Sequence, residues 1–197
     1  ENPAGEVTGI IHHRELLQFP SYGPMVLARE IERAERSEQV ISAAMRAPAL
    51  AAALSDSGAP PDRSTRMLTS VCDAATQRFI ELAQEELGPA PASFCFLGLG
   101  SHGREELTLT SDQDNALIYA DEAAENDDAS EYFVELGRRV CDCLNEAGFP
   151  HCRGEIMAQN PRWSQPLSTW REYFSEWMRS AEPVEVLEFI AFFDFRA

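Results

Sequence analysis

The pattern of apolar and polar residues changes near residue 90. Before that point, apolar residues recur every three or four positions, which is the spacing of one face of an α-helix. The clearest helix is predicted over residues 62–87, where Gly88-Pro89 ends the pattern, and its apolar face holds Met67, Val71, Ala75, Phe79 and Leu82. Shorter helices are predicted around residues 24–34, 37–45 and 48–58. This part of the chain therefore reads as a helical bundle.

From residue 92 onward the pattern indicates short strands between helices. Residues 94–99 form a continuous apolar run, as expected for a buried strand, and residues 114–119 give a second one. Residues 155–158 are a candidate third strand, and residues 104–107 a candidate helical turn. Helices are predicted over residues 131–147 and 167–178, where Trp170 and Trp177 share one face and favour core packing. The predicted fold class is α/β or α+β, a small mixed sheet with flanking helices preceded by the bundle.

Charge narrows the possible partners. The 197 residues carry 33 acidic and 16 basic side chains, a net charge of −17. A protein that grips a polynucleotide or an anionic membrane needs clustered Lys and Arg, so both partners are disfavoured. A nucleotide is compatible, because a few Arg side chains and a divalent cation can offset its phosphates locally. Five irregularly spaced cysteines argue against a disulfide framework, and no signal segment or membrane-spanning run is found, so we expect a cytoplasmic protein.

A candidate phosphate-binding turn follows the first strand. Gly100 ends the apolar run and lets a ligand approach the backbone closely. Ser101 offers both a hydroxyl and an N–H group, and backbone amides in such a turn form an anion-binding concavity. Arg104 adds a planar guanidinium that suits phosphate oxygens. A surface ion pair between Arg104 and a neighbouring glutamate is the alternative reading of that arginine.

Asp112 and Asp114 are the candidate metal ligands. Side chains two positions apart in an extended strand project to the same side, so the two carboxylates can share one cation. Magnesium prefers a pair of carboxylates completed by phosphate oxygens and water, and Mn²⁺ is the alternative cation. The plain alternative is that both aspartates simply provide polarity before a strand. A phosphatase of the haloacid-dehalogenase type also uses Asp-x-Asp, but there the motif follows its strand, whereas here it opens one.

This arrangement resembles the DNA polymerase beta-like nucleotidyltransferase superfamily, in which an apolar strand, a Gly-Ser turn and an Asp-x-Asp strand follow one another. The phrases at residues 112–119, 160–163 and 192–196 look like those of a bacterial nucleotidyltransferase family found beside CBS and cyclic-nucleotide-binding domains. That family is related to the uridylyltransferase of PII and the adenylyltransferase of glutamine synthetase. Residues 6–17 resemble the closing strand of a CBS domain.

The resemblance implies a function and a division of the chain. It implies transfer of a nucleoside monophosphate from a nucleoside triphosphate to a hydroxyl, with a regulatory protein as candidate acceptor in a signal-transduction setting. A nucleotide-sensing module without turnover is the alternative. The expected domains are a CBS-like remnant (1–20), a helical region (21–90) and a catalytic core (91–197) that is truncated at its C-terminus. A homodimer through the adjoining CBS region is a candidate assembly.

The resemblance also implies roles for individual residues. Contacts to the triphosphate would come from the turn, through Gly100, Ser101 and Arg104, while Asp112 and Asp114 would bind Mg²⁺. The superfamily often adds a third carboxylate on a later strand, as metal ligand or base. Glu155 is the first choice for that role and Asp194 is the alternative.

Overall fold

The computed structural model of the chain describes residues 23–179 and 192–197. The CBS-like remnant predicted at residues 1–20 lies outside the described residues, so the division into three domains stays a prediction. Within the described ranges, none of the helices has the length and apolar character that a bilayer crossing requires.

From residue 23 onward, four helices precede the sheet, as the spacing predicted. They are α1 (Gly23–Glu32), α2 (Ser37–Ala44), α3 (Ala47–Asp56) and α4 (Pro61–Leu87). The three shorter helices all contact α4, which is the axis of the bundle. Pro61 occupies the first turn of α4, where its missing N–H costs nothing, and Gly88 ends the helix with φ +88°, a conformation that glycine adopts without strain.

A four-stranded sheet forms the second part of the fold. Its strands are β1 (Phe94–Leu99), β2 (Asn115–Tyr119), β3 (Ser164–Pro166) and β4 (Phe195–Arg196), in the order β3-β2-β1-β4. Strands β2 and β4 both pair antiparallel with β1, whereas β3 runs parallel to β2. The mixed sheet with flanking helices confirms the predicted fold class.

Among the described residues, three α-helices accompany the sheet: a single turn, α5 (Gly100–Gly103), then α6 (Asp127–Glu146) and α7 (Leu167–Trp177). Helix α6 begins four residues before its predicted start. Asn126 caps it, with its side-chain oxygen accepting a hydrogen bond from Asp128 N at 3.1 Å. Asp127 and Asp128 in the first turn also suit the positive end of the helix, which accounts for its earlier start.

Two elements predicted from the sequence are wrong. Residues 155–158 are not a strand, because Glu155 adopts φ +56° and the segment turns there; the third strand is β3 instead. The helical turn predicted at residues 104–107 lies four residues earlier, at α5. The apolar residues within 155–158 suggested a strand that does not form. The strand that does form, β3, consists of a serine, a glutamine and a proline.

The two sides of the sheet carry different cores. The helix-facing side packs on α4 and α6 and joins the main cluster, which includes Phe79, Leu117, Tyr119, Phe133 and Leu136. The other side, called here the aromatic side, holds a smaller cluster of Leu97, Leu99, Ala116, Trp163, Trp170, Trp177 and Phe192. Burial of Trp170 and Trp177 confirms their predicted core role. All five cysteines are free, as their spacing predicted.

Candidate functional site

Asp112 and Asp114 lie just before β2 and face away from α4 and α6. Gln113 between them is buried, and its side-chain amide donates to the carbonyl oxygens of Cys141 and Phe149 at 2.9 and 2.8 Å. Burial alternates along this stretch, and both aspartates are partly exposed. Because successive side chains of an extended chain alternate in direction, the two carboxylates project together on the aromatic side.

The turn after β1 lies directly against this aspartate pair. Leu99 N donates to the carbonyl oxygen of Asp114 at 2.9 Å, which extends the β1–β2 pairing to the residue just before β2. Gly100 has φ +51°, and a Cβ at this position would lie 3.4 Å from the Asp114 Oδ2 atom. The structure therefore brings the start of the turn against Asp114, while the roles of Gly100, Ser101, Asp112 and Asp114 stay predictions.

The Asp114 carboxyl sits in a partly buried and negatively charged setting. Burial raises the pKa of Asp114, and the negative charge of Asp112 raises it as well. A hydrogen bond with Cys152 and the nearby His102 ring act in the opposite direction, and the net shift is upward. Two carboxylates that repel each other in this way are both stabilised when a cation binds between them.

Arg104 reaches the same region but already has protein partners. Its Nε donates to Glu106 at 2.8 Å and its Nη1 donates to Asp194 at 2.8 Å. The alternative reading of an ion pair with a neighbouring glutamate is thus present in the structure. An arginine has five N–H donors, and the half-exposed guanidinium keeps donors on Nη2 that these two bonds do not use.

The comparisons with known proteins decide the family. One protein family, described as "Putative nucleotidyltransferase DUF294", matches residues 45–184, more than half of the chain. The chain belongs to this nucleotidyltransferase family. The match covers α3 and α4 of the bundle and β1 to β3 of the sheet, and the main hydrophobic cluster likewise contains residues from both parts.

Curated relatives agree at lower similarity. The chain is 26% identical over 136 residues to the bifunctional glutamine synthetase adenylyltransferase/adenylyl-removing enzyme of Bifidobacterium longum, strains DJO10A and NCC 2705. The same enzyme of B. longum subsp. infantis is 26% identical over 133 residues. The alignments cover 58–60% of this chain but only 12% of each relative. No solved structure matches the chain significantly.

Nucleotidyltransferases generally use divalent cations, and the aspartate pair suits one. Carboxylate oxygens are the ligands that Mg²⁺ prefers, and Mg²⁺ commonly takes only one or two of them from the protein. Across residues 23–179 and 192–197, no group of three His, Cys, Asp or Glu side chains is placed to hold a metal. Phosphate oxygens and water would therefore have to complete the coordination that Asp112 and Asp114 begin.

The structure does not gather either candidate third carboxylate into a cluster with the pair. Glu155 is exposed on its turn, where its carbonyl oxygen accepts a hydrogen bond from Asn160 Nδ2 at 3.1 Å. Asp194 is bonded to Arg104 through its side chain and to Gly100 N through its carbonyl oxygen at 2.9 Å. The choice between them stays a prediction.

Cys152 is a contact of the site that the sequence did not indicate. Its side chain bonds the Asp114 carboxyl, and burial raises the pKa of this cysteine, so it meets Asp114 as a thiol. It also lines an open cavity of about 780 Å³ with Arg138, His151 and Arg153. The cavity is therefore connected to the site through Cys152, which bonds Asp114.

Proposed function

We propose that this protein transfers a nucleoside monophosphate from a nucleoside triphosphate to a hydroxyl group and releases pyrophosphate. The observation that carries the proposal is the placement of Asp112 and Asp114 together on one side of the sheet, against the Gly100-Ser101 turn. Family membership supports the same chemistry. In this reading the cation is Mg²⁺, with Mn²⁺ as the alternative.

Asp112 and Asp114 would hold the cation, since they are the paired hard-oxygen donors beside the turn. When bound, such a cation neutralises phosphate oxygens and aligns the attacking hydroxyl. Gln113 fixes the pair in this proposal, because its two hydrogen bonds to backbone carbonyls of the helix-facing side anchor the residue between the aspartates. A repelling, partly buried carboxylate pair is thereby preorganised for positive charge.

The turn would bind the triphosphate through its backbone and Ser101. Gly100 N is already bonded to the Asp194 carbonyl oxygen, so the donors that the turn offers to phosphate oxygens are the N–H groups of Ser101 and His102, which have no partner within the turn. The Ser101 hydroxyl makes no hydrogen bond with the described residues, and the side chain is partly exposed. Arg104 would contribute the Nη2 donors, or exchange one of its exposed ion pairs, since such pairs contribute only about 0–1 kcal/mol.

The acceptor is proposed to be a hydroxyl on a regulatory protein, in a cytoplasmic signalling setting. The curated relatives are named for adenylyl transfer to glutamine synthetase, which is a protein acceptor. The cavity beside Cys152 gives room for an acceptor side chain next to the aspartate pair. The net charge of −17 supports a protein or small-molecule acceptor over a polynucleotide.

A transfer assay with carboxylate variants tests the proposal. The protein is incubated with labelled ATP, UTP, GTP or CTP, Mg²⁺ or Mn²⁺ and candidate proteins, and pyrophosphate release and label transfer are measured. Asp112→Asn and Asp114→Asn should each reduce transfer more than about 100-fold, because loss of even a supporting contact to a metal ligand costs about 10–100-fold. Asp56→Asn, an exposed carboxylate on α3, is the matched control and should leave transfer unchanged. Transfer that survives both site variants would refute the assignment.

A nucleotide sensor without turnover is the second candidate. It is favoured by one observation: within the described parts of the chain, no third metal-ligating side chain joins the pair. A sensor should bind nucleotide with or without Mg²⁺ and release no pyrophosphate with any triphosphate. Calorimetric titration of ATP in the presence of Mg²⁺ and of EDTA, alongside the transfer assay, separates the two candidates.

A further inference from the structure

A second cluster of charged residues lies behind the glycine turn, on the helix-facing side of the sheet. Asp73 of α4 bonds His102 of α5, with 2.7 Å between Oδ1 and the ring Nε2. The same Oδ1 accepts a hydrogen bond from Arg196 Nη2 of β4, also at 2.7 Å. One carboxylate oxygen therefore ties the bundle, the turn and the edge strand together.

The His102 ring is closely fitted into this position. Only 12% of its side-chain surface is exposed. A Cβ on Gly98 would lie 2.7 Å from the ring Nδ1 atom, closer than real Cβ atoms approach, so β1 needs glycine there to admit the ring. The absence of a side chain at position 98 of β1 leaves the space in which the His102 ring bonds Asp73.

Asp73 is held in its charged form by these contacts. Burial acts to raise the pKa of Asp73, but the hydrogen bonds from His102 and Arg196 outweigh it and lower the pKa below its usual range. Hydrogen bonds to an ionised group are shorter and stronger than neutral ones. The link between α4 and the turn is therefore a charge-assisted one.

The residue just before this edge strand contacts the turn at its first residue. Gly100 N donates to the carbonyl oxygen of Asp194 at 2.9 Å, two residues before Arg196. A Cβ on Gly103 would lie 2.5 Å from that same oxygen. The backbone of α5 is thus fixed at its first residue by Asp194 and at its third by Asp73, so its N–H groups have little freedom.

We propose that Asp73 is a positioning residue that holds the N–H groups of α5 in place for the triphosphate, acting through His102 and Arg196. The inference rests on the proposed function, since it assigns the turn to nucleotide phosphates. Asp73 lies on the opposite side of the sheet from the aspartate pair and acts on the turn from behind. Its contribution is preorganisation, because a turn that is already ordered loses less freedom when the ligand binds.

Hydrogen exchange tests the ordering directly. In Asp73→Asn the shape is kept and the charge is lost. The hydrogen-bonded amides at the two ends of residues 100–104, those of Gly100 and Arg104, should therefore exchange about tenfold faster, the effect of losing one charge-assisted hydrogen bond. Glu81→Gln is the matched control, because it removes another ion-paired carboxylate of α4, bonded to Arg78 at 2.6 Å, away from the turn. Amides of α6 serve as the reference for global stability in both variants.

Nucleotide affinity gives a separate measurement. The dissociation constant of ATP with Mg²⁺ should rise about tenfold in Asp73→Asn and change less than about twofold in Glu81→Gln. Unchanged exchange at residues 100–104 in Asp73→Asn overturns the positioning role, whether or not nucleotide binds. If the parent protein binds no nucleotide, the proposed function fails, and the exchange result alone then decides whether Asp73 orders the turn.

A double-mutant cycle checks that the effect passes through His102. Gly98→Ala should speed exchange of the turn on its own, since the new methyl group displaces the ring. In a His102→Ala background the same substitution has no ring to displace, so its effect on the turn should largely disappear. Additive effects in the two backgrounds would contradict transmission through the ring.

Discussion

The helix-facing side and the aromatic side of the sheet are organised differently. The helix-facing side packs on two long helices in a continuous cluster, where Phe133 stacks on Tyr119 with 4.6 Å between ring centroids. The aromatic side has a small cluster around Trp163, and beside it two partly exposed carboxylates that repel each other. The helix-facing side carries most of the packing, and the aromatic side carries the two carboxylates that repel each other. Substitutions in the packed side should therefore change stability, whereas substitutions of the carboxylates should change the proposed function.

The largest expected effect on stability belongs to the helix-facing side. Phe133→Ala removes a fully buried ring that also lies 5.5 Å from Phe94, and should lower the free energy of unfolding by about 3–5 kcal/mol. Urea unfolding monitored by circular dichroism measures the loss. ATP affinity of the fraction that remains folded should be unchanged. A loss below about 1 kcal/mol would mean that this side is not where stability is concentrated.

A smaller effect is expected where α6 meets the segment that follows Glu155. A Cβ on Gly137 would overlap the carbonyl oxygen of Ala158. The N–H group of Ala158 in turn donates to Asn115 Oδ1 at 2.7 Å. Gly137→Ala should therefore destabilise by about 1–3 kcal/mol through overpacking. Because Asn115 follows the aspartate pair directly, this variant should also weaken ATP binding, measured by titration. A purely stabilising outcome, through gain of helix propensity, would show that the contact is loose.

On the aromatic side, Trp170→Phe tests a single buried hydrogen bond. The indole N–H donates to the carbonyl oxygen of Leu117 at 3.1 Å, which joins α7 to β2. Loss of that donor and of part of the ring should cost about 1–2 kcal/mol in urea unfolding. A cost as large as that of Phe133→Ala would remove the contrast in stability between the two sides.

The smallest effect has the opposite sign. A carboxyl whose pKa is raised on folding stabilises the fold while protonated, and that contribution is lost as the pH rises from the usual 3.8 through the raised value. Asp114→Asn should therefore raise the free energy of unfolding by about 0.5–1 kcal/mol relative to the parent at pH 7. The gap should close as the pH is lowered towards 3.8. Urea midpoints across pH 3.5–7.5 measure this gap, and a destabilised variant at pH 7 would contradict repulsion between Asp112 and Asp114.

Local sequence signals predicted the parts of the fold that depend on neighbouring residues. The apolar spacing of α4 and the Gly88 that ends it are visible in the sequence, and so are β1 and the Asp-x-Asp stretch. Strand β3 was missed because its short, proline-containing sequence has no strand pattern. Its extended conformation comes from pairing with β2. The turn at Glu155 was missed because a positive φ at a glutamate is set by its surroundings.

The cluster behind the turn could not be predicted, because its members are far apart along the chain. Asp73 and Arg196 are separated by 123 positions, and nothing in their spacing relates them. One local signal was present: Gly98 interrupts an otherwise apolar strand, and a glycine inside a strand often marks close approach of another group. The approaching group is the His102 ring.

The fit of His102 against Gly98 has a consequence for how related sequences should vary. The three atoms nearest to a Cβ at position 98 all belong to that imidazole ring, so the demand for glycine there comes from one side chain alone. Homologues with a small residue at position 102 should accept alanine or serine at position 98. Those that keep a ring should keep glycine, and the two positions should covary across an alignment.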